Sequence, residues 1–314
     1  MNERQRIGLL VERFAGGAPG SDRLVVPSGD DAAVARPAGD VVVTSVDAAV
    51  DGVHFRRETW PPEAIARKAV GAALSDLAAM GAEAGEIYVA CGLPLDFGEE
   101  DFEGLAAGIE EIAGKHGATV AGGDLVRAGE LWLSVTVTGY AKTADAVVTR
   151  DGAHEGEVVV VTGDFGGAVR ALELIEAGQT QDAAATAKQF APQPRLACGL
   201  ALAASGATAM IDVSDGLAAD ARQLGELSGV ELEIELASLP LAAGIDDPVV
   251  AAASGEEYEL LATLPEARIE EATRRCLAEG VQLTQIGRST AGRGATFRTS
   301  DGGRVEIAGF DHFD

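Results

Sequence analysis

Apolar residues recur at helical spacing at the start of the chain (Ile7, Leu10, Val11, Phe14), so Gln5 to Phe14 is expected to form an amphipathic helix stopped by Gly16-Gly17. The pattern then changes period. Val41 to Val46 is an unbroken apolar, β-branched run of strand length that ends at Asp47. Pro61-Pro62 open a second helix running to about Met80, with Ile65, Ala69, Ala72, Ala73 and Leu77 on its inward stripe and Gly81 at its end. The small residues of that stripe allow a neighbouring element to approach closely. Strands are expected at Ile87 to Cys91, Thr119 to Ala121 and Leu131 to Tyr140, and a helix at Glu99 to His116.

From about Lys142 to Glu157 the periodicity lapses into Thr, Asp, Gly and Arg, which marks a boundary between domains 1–145 and 146–314. Beyond it, strands are expected at Val158 to Val161, Ala209 to Ile211, Glu231 to Leu236, Tyr258 to Leu264, Gln282 to Gly287 and Ala295 to Arg298. Helices are expected at Gly167 to Glu176, Pro194 to Ser205, Gly216 to Ser228 and Glu266 to Glu279. Both halves interleave strands and helices, and the fold class is α/β.

Composition narrows the function. At 314 residues and 47% hydrophobic, the chain can bury a sizeable core. A net charge of −26 repels nucleic acid and anionic membrane, so neither is expected as a partner. Most of those acids read as a solvated surface. Cys91, Cys198 and Cys276 form no CxxC spacing, which suggests neither a disulfide framework nor a zinc site. The N-terminal residues do not resemble a signal peptide and no 18-residue uncharged apolar run occurs, so a soluble cytoplasmic protein is expected.

Several familiar motifs fail on inspection. No GxxxxGK[ST] phosphate loop is present, and Asp164-Phe165-Gly166 has no accompanying HRD loop. Asp47, Asp51, Gly52 and Glu58 fall on four positions of an EF-hand frame, but Ala49 breaks it. His54 and His154 stand alone, and the serines lack a GxSxG elbow. What remains is a series of short acidic clusters at expected strand ends and loops: Gly29-Asp30-Asp31, Ser45-Val46-Asp47, Ser75-Asp76, Gly122-Gly123-Asp124, Asp212-Val213-Ser214-Asp215 and Gly255-Glu256-Glu257. Singly, a Gly-Asp is most often a turn or a helix cap. Together, carboxylates beside glycines that let phosphate approach the backbone imply hard cations, with Mg²⁺ the one expected, and phosphoryl transfer.

These residues resemble a known family. Gly29-Asp30-Asp31-Ala32-Ala33, Ser45-Val46-Asp47 with Gly52-Val53-His54-Phe55, Leu74 to Ala82, Ala121 to Asp124, Asp212 to Leu217 and the closing Gly309-Phe310-Asp311-His312-Phe313 are similar, in order, to thiamine-monophosphate kinase, of the aminoimidazole ribonucleotide synthetase and selenophosphate synthetase superfamily. The resemblance implies two α/β domains, each a mixed sheet packed by helices, in a homodimer. It also implies transfer of the ATP γ-phosphoryl group to thiamine monophosphate, with Mg²⁺ ions and without a side-chain base. Asp30, Ser45, Val46 (through its carbonyl), Asp47, Asp76, Asp124, Asp212 and Asp215 would form the metal shell. Gly123, Asp124, Arg150 and Ser214 would hold ATP; His54, Glu256 and Phe310 would contact thiamine monophosphate.

Three features depart from the family pattern. Ser254 and Glu257 stand where Gly and Asp are usual, Val46 replaces a hydroxyl residue, and no aromatic contact to adenine is evident before Gly122. The alternatives are another ATP-dependent enzyme of the superfamily with a different acceptor, or a non-enzymatic acidic protein that binds divalent ions. No Cys precedes Cys91 and the chain closes on Asp311-His312-Phe313-Asp314, features that disfavour a selenophosphate or a hydrogenase-maturation chemistry respectively.

Overall fold

The amphipathic segment at the start of the chain folds as α1 (Glu3–Phe14) and is followed by a short antiparallel pair, β1 (Leu24–Val26) and β2 (Val34–Ala35). The computed structural model describes residues 1–14, 21–27 and 32–310. Two units pack separately, one comprising Met1–Leu77, Glu83–Ala144 and Phe190–Pro192, the other Ala78–Ala82, Asp145–Gln189 and the residues from Gln193 onward.

In the first unit come β3 (Val41–Val50), α2 (Pro62–Ala79), β4 (Glu83–Leu93), α3 (Glu99–Lys115), β5 (Thr119–Arg127) and β6 (Trp132–Ala141). Among the described residues the long strands form a mixed four-stranded sheet in the order β3-β6-β4-β5, antiparallel except for β4 with β5. Leu133, Val135 and Val137 of β6 and Ile87 of β4 are almost fully buried. Small residues set the helix spacing, for a Cβ on Gly108 of α3 would lie 2.3 Å from the Glu63 carbonyl of α2.

Two of the strands that carry acidic motifs run further than their apolar composition suggests. β3 does not stop at Asp47, because its ladder to β6 continues through Asp47 opposite Val135 to Val50 opposite Trp132. Gly122-Gly123-Asp124 does not follow a strand but lies inside β5, which pairs with β4 as far as Arg127 opposite Leu93. Glycine is required there, since a Cβ on Gly123 would sit 2.1 Å from the Val89 carbonyl oxygen.

The second unit contains β7 (Val158–Thr162), α4 (Gly167–Glu176), α5 (Ala183–Phe190), α6 (Leu196–Ala204), β8 (Ala209–Asp212), α7 (Leu217–Ser228) and β9 (Val230–Glu235). These are followed by α8 (Pro248–Ala253), β10 (Leu260–Leu264), α9 (Ile269–Ala278), β11 (Leu283–Ala291), β12 (Gly294–Arg298) and β13 (Arg304–Val305). The strands order as β13-β12-β9-β11-β7-β10-β8; only β12 with β9 is parallel. The apolar face of α7 (Leu217, Ala218, Ala221, Leu224) joins Val161, Ile211 and Leu261 in one buried core. Helices α5 and α8 have no clear apolar stripe in the sequence. Asp247, whose carboxylate accepts the Val249 N–H at 2.8 Å, and Pro248 start α8.

Candidate active site

In the first unit, strand alternation puts Ser45 and Asp47 on one face of β3 and Val46 on the other, where its side chain is 64% exposed. The Ser45 hydroxyl donates to the Asp76 carboxylate of α2, joining two of the acidic clusters. Asp47 Oδ1 accepts the N–H of Ala48 at 2.7 Å, and Asp124 Oδ1 accepts that of Leu125 at 2.9 Å. In the sheet register, Asp124 lies on the row Ala90, Ser134, Ala48, one residue out of step with Asp47. Asp30 lies outside the described residues.

His54 sits in the loop after β3, with Nδ1 accepting the Val50 N–H at 3.2 Å, so the neutral ring carries its proton on Nε2. Beside Gly122-Gly123-Asp124, β5 and helices α1 and α3 enclose a largely apolar cavity of about 600 Å³, lined by Leu10, Phe14, Tyr88, Ile109, Gly123 and Asp124 among others. Tyr88 faces Gly122 across the β4–β5 pair. It is an aromatic neighbour of the glycines that linear spacing conceals, because it reaches them from the adjacent strand.

In the second unit, three separate motifs meet. Asp212 is the last residue of β8 and only 3% exposed. The chain beyond it is stitched by backbone bonds: Val213 N–H to the Glu259 carbonyl at 2.8 Å, Glu256 N–H to the Ser214 carbonyl at 2.7 Å, and Phe310 N–H to the Asp215 carbonyl at 3.0 Å. Asp212, Ser214, Asp215, Glu256 and Phe310 are thereby brought to one place. Phe310 remains largely exposed. Glu256 and Tyr258 are the positive-φ non-glycine residues among those described, at φ 61° and 52°. Arg150 Nη1 donates to Gln223 Oε1 of α7 at 2.8 Å.

Asp220, which belongs to none of the acidic clusters, supports this loop. Its Oδ2 accepts the N–H groups of both Ser214 and Asp215, at 3.1 and 3.2 Å. Burial, then the nearby Asp212 and Asp215 carboxylates, push its pKa up to about 8. The available signal was an acid in the first turn of a helix just after the Asp-Val-Ser-Asp-Gly segment.

The departures at 254 and 257 have a shared structural role. Glu257 Oε1 accepts the N–H groups of Gly166 and Ala168, at 2.7 and 3.1 Å, at the start of α4, and the Ser254 hydroxyl at 2.7 Å. The Ser254 hydroxyl oxygen also accepts the Val169 N–H at 3.2 Å. The pair together accepts three N–H groups at the start of α4. Burial raises the Glu257 pKa despite Lys188, whose Nζ lies 3.4 Å from it. Glu259 is bound more fully, by Lys188 at 2.7 Å and by Arg195 through Nε and Nη2 at 2.7 and 2.6 Å.

Each unit thus carries clustered oxygen donors of the kind hard divalent cations take, on an α/β scaffold. Among the described residues, no group of three or more His, Cys, Asp or Glu side chains is placed to hold a metal ion. Residues 29–141 match the AIR synthase related protein N-terminal domain and residues 154–299 the corresponding C-terminal domain. The thiamine-monophosphate kinase of Halobacterium salinarum is 38% identical over 273 residues, covering 85% of this chain and 89% of that protein. A crystal structure of thiamine-monophosphate kinase from Stenotrophomonas maltophilia K279a is similar with a TM-score of 0.84 at 31% identity, over 97% of this chain and 98% of the other. AaThiL complexed with AMPPCP and TMP is similar with a TM-score of 0.78 at 28% identity, over 99% and 97%. The chain belongs to the thiamine-monophosphate kinase family.

Proposed function

We propose that this protein transfers the γ-phosphoryl group of ATP to the phosphate of thiamine monophosphate, giving thiamine diphosphate and ADP as the last step in making that cofactor. The observation that carries the reading is the joining of the Asp212–Asp215 loop to both Glu256 and Phe310, which sets carboxylates for phosphate-bound cations beside residues suited to an organic cation and its ring. In the transfer, the bond from the γ-phosphorus to the β–γ bridging oxygen breaks and one from the γ-phosphorus to an acceptor phosphate oxygen forms. That acceptor is already ionised near neutral pH, so no side-chain base is required.

Residues 1–145 and 146–314 are proposed as two domains. Gly123, Asp124, Arg150 and Ser214 would hold ATP, with the adenine in the cavity beside Tyr88. Gly123 and Asp124 both line that cavity, and Arg150 offers a planar fork to phosphate oxygens. His54, Glu256 and Phe310 would contact the acceptor, Phe310 by stacking on a ring and Glu256 by pairing with the positive thiazolium. Asp30, Ser45, Asp47, Asp76, Asp124, Asp212 and Asp215, with the Val46 carbonyl, would hold Mg²⁺. When bound, the ions neutralise the repulsion between two anionic phosphates and the charge of the transition state.

A homodimer formed through the first unit is part of the proposal, supported by Val42 and Val46, exposed on one face of β3 at the edge of its sheet. No described helix is long and apolar enough to cross a membrane; a cytoplasmic location is proposed on the cysteine usage. Calorimetry with Mg²⁺, with and without a nonhydrolysable ATP analogue, tests the reading against a simple ion-binding protein. Tighter Mg²⁺ binding with the analogue is expected, and equal binding in both conditions would contradict it.

A further inference from the structure

Gln189, near the end of α5, is 2% exposed and belongs to none of the motifs that define the site. Its Nε2 donates to Glu256 Oε2 at 3.0 Å and to the Ala168 carbonyl at 3.3 Å. A carbonyl and a carboxylate only accept, so the two partners fix which end of the amide faces them. Ala168 is held from its other side as well, where its N–H donates to Glu257 Oε1 at 3.1 Å. The first turn of α4 is therefore clasped by consecutive glutamates, directly by Glu257 and through Gln189 by Glu256.

The clasp falls where the backbone needs support, because Glu256 and Tyr258 both occupy the left-handed region that residues with a Cβ rarely adopt. Lys188, the neighbour of Gln189, secures the back of the same loop by its bond to Glu259 at 2.7 Å. The division of labour is chemical. Cationic Lys188 compensates the buried acids, whereas Gln189 is a neutral donor, which orients the Glu256 carboxylate without bringing a charge of its own.

We propose that Gln189 is a positioning residue that aims the Glu256 carboxylate at the positively charged ring of the acceptor, and so favours phosphate esters that carry an organic cation. The inference rests on the reading of Glu256 as an acceptor contact. Steady-state kinetics on the full-length protein, with ATP, Mg²⁺ and thiamine monophosphate, test it in Gln189→Met, Glu256→Ala and the double variant, each checked for an unchanged melting profile.

Loss of a hydrogen bond to a charged group corresponds to about tenfold or more. Gln189→Met is therefore expected to raise KM for thiamine monophosphate about tenfold with KM for ATP unchanged, and the double variant to be no worse than Glu256→Ala. Should the methionine variant not fold, Gln189→Asn, which keeps the polar group but shortens its reach, carries the same expectation. If Glu256→Ala raises that KM while Gln189 variants leave it unchanged, or if the two effects multiply, the positioning role is overturned and the Glu256 contact stands. If Glu256→Ala leaves the KM unchanged, the Glu256 contact and the inference fall together.

Discussion

The Glu256 N–H donates to the Ser214 carbonyl at 2.7 Å, which ties two motifs more than forty residues apart in the chain into one surface. The adjoining Phe310–Asp215 bond extends the same surface to the end of the described chain.

Gly309 controls that extension. A Cβ there would lie 2.4 Å from Ala219 Cβ on α7, so Gly309→Ala must displace Phe310 from its bond to Asp215. The expected result is a several-fold rise in KM for thiamine monophosphate with little change in stability, measured by steady-state kinetics and thermal melting.

Asp47→Ala and Asp215→Ala should each abolish turnover while leaving the fold intact, because both side chains belong to the proposed metal shell and neither is part of the apolar core. Circular dichroism and a coupled ADP assay check the two halves of this prediction. Undiminished turnover in both variants would remove the metal assignment.

Much of this architecture was legible from periodicity. α4 occupies the expected residues 167–176, and α1, α2, α3 and α7 lie within a few residues of their apolar stripes. The misses have particular causes. β3 and β5 extend through Asp47 and through Gly122-Gly123-Asp124 because ladder pairing to β6 and β4 prevails over local composition. Helix α5 is short and polar, so its contribution through Lys188 and Gln189 appears only when the fold brings it against the Glu256–Glu259 loop. The acidic motifs were visible as linear strings and Asp220 had a signal in its place on the first turn of α7, but Tyr88 and Gln189 meet their neighbours across strands and loops distant in sequence, where spacing alone carries no signal.

Lys188 makes a direct prediction about stability. Burial disfavours its ammonium group, but Glu259 and Glu257 outweigh that and raise its pKa. Lys188→Met leaves Glu257 without this counter-charge and Glu259 with Arg195 alone, which should cost about 3 kcal/mol in chemical denaturation.

His116, which ends α3, gives a pH dependence remote from the site. Burial, with a smaller contribution from Lys115, lowers its pKa from 6.5 to about 4. The unfolded chain therefore binds more protons between those values, so this contribution to stability is complete above about pH 6.5 and is lost as pH falls through about 4. His116→Gln should flatten the dependence of melting temperature on pH in that window.

The most direct test of the account is product analysis by ion-exchange chromatography after incubating the pure protein with ATP, Mg²⁺ and thiamine monophosphate, alongside an EDTA control. Thiamine diphosphate and ADP are expected in equal amounts, both abolished by EDTA. ATP bound by folded protein with no thiamine diphosphate formed would contradict it.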